Sequence, residues 1–135
     1  MSKLERETGE TRVECRVTRG TGAAEVTVDD TFLRHMVETL ARYSGLDITL
    51  EAEGDMRHHL IEDVAITLGL ALKDEVPARA VRYGWAVVPM DEALVEAAVD
   101  VGGRPYFEGT LPSSLYTHFL HSFATNLDAT LHVRV

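Results

Sequence analysis

The chain contains an internal repeat whose second copy is shorter than the first. Residues 32–51 (FLRHMVETLARYSGLDITLE) align with residues 115–134 (LYTHFLHSFATNLDATLHVR) at an offset of 83 residues, which places His35 on His118. Both segments have the pattern of a helix followed by a strand, as expected from an ancient duplication. In the first copy a further helix follows, beginning with HHLIED at residues 58–63, but the sequence ends before any such helix in the second copy. The repeat therefore predicts two similar halves, the second lacking its last helix.

Size and composition fit a single domain. The chain has 135 residues, of which 45% are hydrophobic, and this is enough for one modest core. We expect one domain over residues 1–135, with a first repeat over about 5–75 and an incomplete second repeat over about 80–135.

The composition also argues against several classes of function. A formal net charge of -9 opposes binding to the phosphate backbone of nucleic acids. The sequence has no apolar run near the roughly 20 residues of a membrane helix, and no secretory signal. The single cysteine, Cys15, cannot form a disulfide within the chain and sits in a strand-like pattern. We therefore expect a soluble, cytoplasmic protein that binds neither nucleic acid nor membranes.

Strands are predicted where apolar and polar residues alternate. This pattern is clearest at residues 13–17, 46–52 and 131–135, and further strand candidates lie at 25–28, 84–88, 94–101 and 104–111.

Three helices are predicted where apolar residues recur at 3.6-residue spacing. They cover residues 32–40 behind a cap at Asp30 or Thr31, residues 58–72, and residues 115–123 behind a cap at Ser113 or Ser114. Three helices over a mainly antiparallel set of strands give an α+β fold with helices on one face of the sheet.

The missing helix leaves a face of the second half without a cover. A soluble monomer rarely exposes a contiguous apolar patch of more than roughly several hundred Å². Either another subunit covers this face, or the natural chain continues beyond Val135.

Histidine and carboxylate side chains cluster at the start of the second predicted helix. His58 and Glu62 are four residues apart and share a helix face, while His59 and Glu62 are three apart. Imidazole and carboxylate donors suit manganese, iron, nickel or zinc. The alternative is an exposed helix start in which Glu62 is only a solvated partner of the helix dipole.

Four segments resemble successive signature blocks of one family. They are FLRHMVETLARYSGLDITLEAEGD, HHLIEDVAITLGLAL, VPMDEALVEAAVDVGGRPY and SFATNLDATLHV, and they follow the family's order. The family is imidazoleglycerol-phosphate dehydratase, the manganese enzyme of histidine biosynthesis, which is itself an internal duplication. The resemblance implies duplicated sheet-plus-helices halves of the ribosomal protein S5 domain 2-like fold, the second lacking its last helix.

The resemblance also implies roles for individual residues. Metal ligation is implied for His35 in RHM, for His58, His59 and Glu62 in HHLIED, and for His132 in TLH. Binding of the substrate phosphate is implied for Arg82 in RYG and Arg104 in GRPY, because a planar guanidinium suits a phosphate dianion. Both arginines could instead form ordinary surface ion pairs. Glu7 in RET corresponds to an acidic residue near the substrate, and Glu7 and Glu62 are the candidates for proton transfer.

Departures from the family pattern affect the expected site. The chain has no second HHxxE segment, Arg34 stands where the family has Asp, and Thr39 replaces Gln. Two ions with about four protein donors each would need roughly eight groups. The five donors named above fall short of that number.

The expected activity is the loss of water from imidazole glycerol phosphate to give imidazole acetol phosphate, with Mn²⁺ or another divalent transition metal. The partners implied are a small phosphorylated imidazole substrate and other copies of the chain, since trimers of the family assemble into a 24-mer. We expect activity to be impaired in this short chain. The alternative is a non-catalytic relative that binds metal or serves only in assembly.

Overall fold

The strands belong to two separate sheets, one in each half of the chain. The computed structural model describes residues 2–135, with strands β1 (Ser2–Glu7), β2 (Thr11–Arg19), β3 (Ala24–Thr27), β4 (Leu46–Gly54), β5 (Tyr83–Met90), β6 (Ala93–Asp100), β7 (Tyr106–Gly109) and β8 (Thr130–Arg134). The strand orders are β1-β2-β4-β3 and β5-β6-β8-β7. In each sheet the β3 or β7 edge strand pairs in parallel and the other pairs are antiparallel. The predicted α+β class and the duplicated halves are confirmed.

Three helices occupy the positions that the periodicity predicts: α1 (Thr31–Ser44), α2 (Arg57–Lys73) and α3 (Ser114–Leu127). The caps repeat between the halves, since Asp30 accepts a hydrogen bond from the Leu33 amide and Ser113 accepts one from the Tyr116 amide. Strand β1 is not predicted by the sequence pattern, because Leu4 is its only apolar residue among SKLERE.

The helices lie between the two sheets. Helix α2 packs on β1, β2 and β4 of the first sheet, α3 packs on β7 and β8 of the second, and α2 and α3 contact each other. The contact is close at Gly69, where an added Cβ would lie 2.8 Å from the Phe123 carbonyl oxygen. None of the helices within residues 2–135 has the length and apolar character needed to span a bilayer.

Burial differs sharply between the equivalent faces of the two sheets. Cys15 pairs with Leu50 under α2, and both are fully buried at 0% exposure. Ala97 pairs with Val133 at the corresponding place in the second sheet, but Ala97 is only half-buried. On the neighbouring strand β5, Val88 is 59% exposed. Within residues 2–135 the second half thus has no counterpart of α2, as the repeat predicts, and the helix-facing side of β5 and β6 is open.

We expect this open face to promote self-association. Replacing Val88 and Met90 with Ser should reduce both the apparent mass in sedimentation velocity and the binding of an apolar dye, because the two side chains are 59% and 74% exposed on that face. Tyr43→Ser is the matched control, since Tyr43 is 80% exposed at the far end of α1. An unchanged mass in the Val88/Met90 variant would show that this face is not the associating surface.

Gly69→Ala should destabilise the fold despite the better helix propensity of alanine. The new methyl group would crowd the α2–α3 contact, where overpacking costs about 1–3 kcal/mol, against a propensity gain of about 1 kcal/mol. Urea denaturation would measure the change, and Leu70→Ala, at a 38% exposed position of the same helix, provides the comparison. An increase in stability for Gly69→Ala would contradict the close contact.

Candidate active site

The first turns of α2 carry the cluster predicted from HHLIED. The helix begins at Arg57, directly after β4 ends at Gly54, so His58 and His59 lie in its first turn. The ring centroids of these two histidines are 4.1 Å apart. His58 is exposed and His59 is half-buried. Because adjacent residues on a helix diverge by about 100°, the two rings address different neighbours.

His59 faces the turn between β1 and β2. Its Nδ1 atom lies 2.7 Å from Oε2 of Glu10, within ion-pairing distance. The Nδ1 atom is buried and has no well-directed hydrogen bond within the described residues, so Glu10 is the charged group in reach of it. Glu10 was not predicted as a site residue, because the resemblance pointed to Glu7.

Glu62 faces α3. Its Oε1 atom lies 3.4 Å from Nε2 of His118; the His118 side chain is exposed and that of Glu62 is half-buried. His118 was also missed as a site residue, although the repeat aligns it with His35 and so contained the signal that could have identified it. Helix α2 therefore forms two imidazole–carboxylate pairs, Glu10–His59 towards the first sheet and Glu62–His118 towards α3.

A cleft of about 380 Å³ adjoins the first of these pairs. It is formed by residues 8–10 of the β1–β2 turn and by His59, Glu62 and Asp63 of α2, with Arg6 at its edge. The cleft is lined by several charged side chains and is open to solvent, so a charged ligand could enter it.

The remaining predicted metal ligands lie elsewhere on the protomer. His35 is exposed on α1, where its carbonyl oxygen accepts a hydrogen bond from Thr39. His132 is exposed on β8 and lines a different cleft, of about 660 Å³, together with Trp85 and Glu108. Its Nδ1 atom is 3.9 Å from Oε2 of Glu108. The structure does not bring either histidine to the α2 cluster within one protomer.

Glu7 lies on the side of the first sheet that faces away from α2. Its neighbour Arg6 donates a hydrogen bond from Nε to Asp63 of α2, and successive side chains of a strand point to opposite faces. Glu7 is exposed and pairs in register with Arg12. Within this protomer Glu7 and Glu62 therefore do not share a surface.

The two predicted phosphate-binding arginines lie beside the turn that joins β6 to β7. Arg82 donates from Nε and Nη2 to the two carboxylate oxygens of Asp100, at 2.7 and 3.0 Å. This hydrogen bond is the main reason why the pKa of Asp100 lies below its ordinary value. Arg104 lies 5.2 Å from the centre of the Tyr106 ring. Both guanidinium groups are near solvent, but Arg82 already has a carboxylate partner.

The chain is similar to proteins of one known family. The family model of imidazoleglycerol-phosphate dehydratase matches residues 29–135. The dehydratase of Rhodopirellula baltica is 43% identical over 96% of this chain and 72% of its own length, and that of Caldivirga maquilingensis is 40% identical over 98% and 77%. The chain belongs to the imidazoleglycerol-phosphate dehydratase family.

Solved structures of the family agree with this assignment. The crystal structure of the Pyrococcus furiosus dehydratase superposes with a TM-score of 0.87 at 36% identity, covering 97% of this chain and 78% of that one. The Staphylococcus aureus dehydratase gives a TM-score of 0.83 at 28% identity, covering 98% and 81%. Members of the family are hydro-lyases of histidine biosynthesis, which confirms the predicted family and reaction class.

The donor types of this dehydratase family member suit a divalent transition metal, but one protomer does not assemble them. Imidazole and carboxylate groups are the appropriate ligands. Among residues 2–135, however, no three His, Cys, Asp or Glu side chains form a group that could hold an ion. Among these residues the protomer offers its imidazole and carboxylate donors in pairs.

A polar cluster fixes the starts of all three helices of this family member next to the candidate site. The Asp30 carboxylate caps α1 and accepts a hydrogen bond from Arg57 Nε at 2.5 Å, and the Arg57 guanidinium lies 6.0 Å from the Tyr116 ring centre. Tyr116 in turn makes an edge-on contact with Phe32, with ring centroids 4.7 Å apart. Arg57 directly precedes His58, so the cluster anchors the first turn of α2.

We expect Asp30 to make stability sensitive to acid. Burial acts to raise its pKa, but the hydrogen bond from Arg57 and that from the Leu33 amide outweigh burial, and the pKa lies below its ordinary value. Because the pKa of Asp30 is lower in the folded state, its charge stabilises the fold at pH values above the unfolded-state pKa of about 3.9. This stabilisation is lost as the pH falls through the folded-state pKa.

Asp30→Asn tests this expectation, because asparagine keeps a helix cap without the charge. The variant should be less stable than the parent at pH 7, by up to about 1 kcal/mol because Arg57 is largely exposed, and the difference should shrink at pH 3. Ser113→Asn, at the equivalent cap of α3, is the neutral control. A difference that is the same at both pH values, measured by urea denaturation, would refute the role of the Asp30 charge.

Proposed function

We propose that this chain is a cytoplasmic dehydratase that converts imidazole glycerol phosphate to imidazole acetol phosphate, with reduced activity in the present length. The observation that carries the proposal is the pairing around α2, where Glu10 meets His59 and Glu62 meets His118. Family membership supplies the reaction class, and these pairs supply the donors and carboxylates that such a reaction needs.

The metal ligands we propose are His58, His59 and Glu62 of α2, together with His35 and His132 from other surfaces. His118 is added because it already lies beside Glu62. Bound Mn²⁺, or another divalent transition metal, would polarise the imidazole ring of the substrate and stabilise the negative charge that develops on it.

Assembly of several protomers would gather these donors into one site per chain, but not into two full sites, because each added copy brings a site as well as ligands. Within residues 2–135 of one protomer His35, His132 and the α2 cluster do not form a group of three donors, and contacts between copies would bring them together. We therefore propose a homo-oligomer of trimers that build a 24-mer, with sites between subunits.

Proton transfer requires a carboxylate that is not fully engaged. In the overall reaction a carbon-bound proton and a hydroxyl group leave as water. Glu62 is a weaker candidate base if it is bound to a metal, because ligation lowers its basicity. Glu10 reaches the cleft through its partly exposed side chain and is better placed. Glu7 could act only on the site of a neighbouring protomer, since it faces away from α2.

Arg82 and Arg104 are the proposed phosphate-binding residues. A phosphate dianion would compete with Asp100 for Arg82, because the bidentate geometry of the Arg82–Asp100 pair is the one that a phosphate would adopt. Asp100 would thus hold the guanidinium in a defined orientation until substrate arrives.

The second candidate function is a non-catalytic relative that retains the fold. It is favoured by the absence, within residues 2–135 of one protomer, of any group of three potential metal ligands. Fusing a helix that carries HHxxE after Val135 separates the two candidates. Manganese-dependent dehydration that rises in the fusion supports an impaired enzyme, whereas a fusion that binds Mn²⁺ without turnover supports the non-catalytic relative.

We expect Mn²⁺ binding to depend on the proposed ligands of α2. Titration of the chain with Mn²⁺, followed by the electron paramagnetic resonance signal of the free ion, should show binding that weakens at least about tenfold in His59→Gln and in Glu62→Gln. His121→Gln is the control, because His121 is exposed on α3, its ring stacks on Phe107, and it is not among the proposed ligands. Absence of Mn²⁺ binding by the parent chain, or an equal loss in the control, would overturn the proposal.

A further inference from the structure

Asp63 is a buried carboxylate that the proposed function leaves without a role. It is 8% exposed and lies four residues after His59, on the same face of α2. One carboxylate oxygen accepts a hydrogen bond from Arg6 Nε at 2.8 Å, and the other accepts one from the Thr11 hydroxyl. Asp63 therefore joins α2 to both β1 and β2.

Thr11 ends the tight turn that contains Glu10. The Thr8 amide donates to the Thr11 carbonyl at 2.9 Å, and the Thr8 hydroxyl accepts from the amides of Glu10 and Thr11 at 3.2 and 3.1 Å. The Glu10 carbonyl accepts from the Asp55 amide at the end of β4. The backbone of Glu10 is thus held inside a hydrogen-bonded turn, and Asp63 attaches that turn to α2 through Thr11.

The contact between Glu10 and His59 is too weak to fix its own geometry. The Glu10 side chain is 53% exposed, and exposed ion pairs contribute little to their own geometry. The Thr11 hydroxyl and the Asp63 carboxylate are almost fully buried, where a satisfied network is rigid. The position of Glu10 relative to His59 is therefore set by the buried network.

We propose that Asp63 is a positioning residue which, through Thr11 and Arg6, fixes the β1–β2 turn so that Glu10 partners Nδ1 of His59. A carboxylate beside Nδ1 favours the proton on that atom and leaves the lone pair of Nε2 free to bind a metal ion. The inference rests on the proposed function in one respect, namely that His59 Nε2 binds a metal ion.

Thr11→Val tests the proposal, because valine has nearly the same shape and lacks the hydroxyl. In the metal-free chain, hydrogen–deuterium exchange of residues 8–11 should become faster. Mn²⁺ binding, followed by electron paramagnetic resonance, should weaken roughly tenfold. Thr11→Ser, which keeps the hydroxyl, should restore both properties.

The matched control is Thr67→Val. Thr67 is also buried on α2, and its hydroxyl donates to the Asp63 carbonyl at 2.8 Å, but among the described residues it forms no hydrogen bond with the turn. It should lower thermal stability without changing exchange of the turn or Mn²⁺ affinity. A loss of Mn²⁺ affinity in Thr67→Val as large as that in Thr11→Val would reduce Asp63 to a purely structural role and overturn the inference.

A double-mutant cycle with Glu10→Gln tests whether Thr11 affects Mn²⁺ binding through Glu10. If Thr11 acts by placing Glu10, then Thr11→Val should weaken Mn²⁺ binding much less in the Glu10→Gln background. Fully additive losses would overturn the inference.

The exchange measurement also separates this inference from the proposed function. If the parent chain binds no Mn²⁺, the proposed function fails. Exchange in the metal-free chain then decides the positioning role alone, and equal protection of residues 8–11 in the parent and in Thr11→Val would overturn it.

Discussion

The burial of α2 between the first sheet and α3 is the interaction on which the rest of the molecule depends. The helix is apolar around most of its circumference, and Ile61, Val64 and Leu68 are at most 1% exposed. Each such side chain contributes about 1.5–3 kcal/mol relative to an exposed one, as an upper estimate. These contacts fix the axis of α2, and the axis determines where its first turn emerges. His58, His59 and Glu62 therefore occupy a rigid element at the edge of the core, with their polar atoms still accessible.

The same burial explains the asymmetry of the two halves. The halves share strand order, helix caps and the pairing of core positions, so the second sheet is built to receive a helix as the first one does. Strand β6 presents Val95, Ala97 and Val99 where β2 presents Val13, Cys15 and Val17, yet only the latter three are fully buried. The core is accordingly concentrated in the first half, and α3 joins it through partly buried aromatic residues such as Phe119 and Phe123.

Local patterns in the sequence predicted the elements well, because helices and most strands are determined by periodicity and caps over short stretches. Local periodicity by itself could not show the division into two sheets, which depends on pairing between distant strands; the internal repeat and the family resemblance indicated it. Strand β1 was missed because its inner positions are Ser2, Leu4 and Arg6, of which only one is apolar. Helix α2 packs on β1, and Arg6 forms an ion pair with Asp63 across that contact, which no local pattern records.

The candidate site residues show the same difference between what a local pattern determines and what only distant contacts determine. The HHLIED cluster was predictable because its members lie on consecutive turns of one helix. Glu10 was not, because the chain reverses between β1 and β2, so that Glu10 is brought to His59 while Glu7, three residues earlier, is placed on the opposite sheet face. The repeat contained the information for His118, since it aligns with His35, but only the packing of α3 on α2 shows that His118 meets Glu62.

The pairs formed by α2 also constrain how an ion could be held. An ion pair with an exposed member contributes only about 0–1 kcal/mol, so the Glu62–His118 pair would not resist the entry of a metal ion, whereas Glu10 contacts Nδ1 of His59 and leaves Nε2 accessible to one. A chain with a net charge of -9 repels its own copies, and cations bound between copies would reduce that repulsion. If sites form only between protomers, metal binding and assembly must favour each other to the same extent, because each changes the free energy of the other by an equal amount. Metal binding by a protomer that holds its donors in pairs would then require assembly. Assembly would in turn require bound metal.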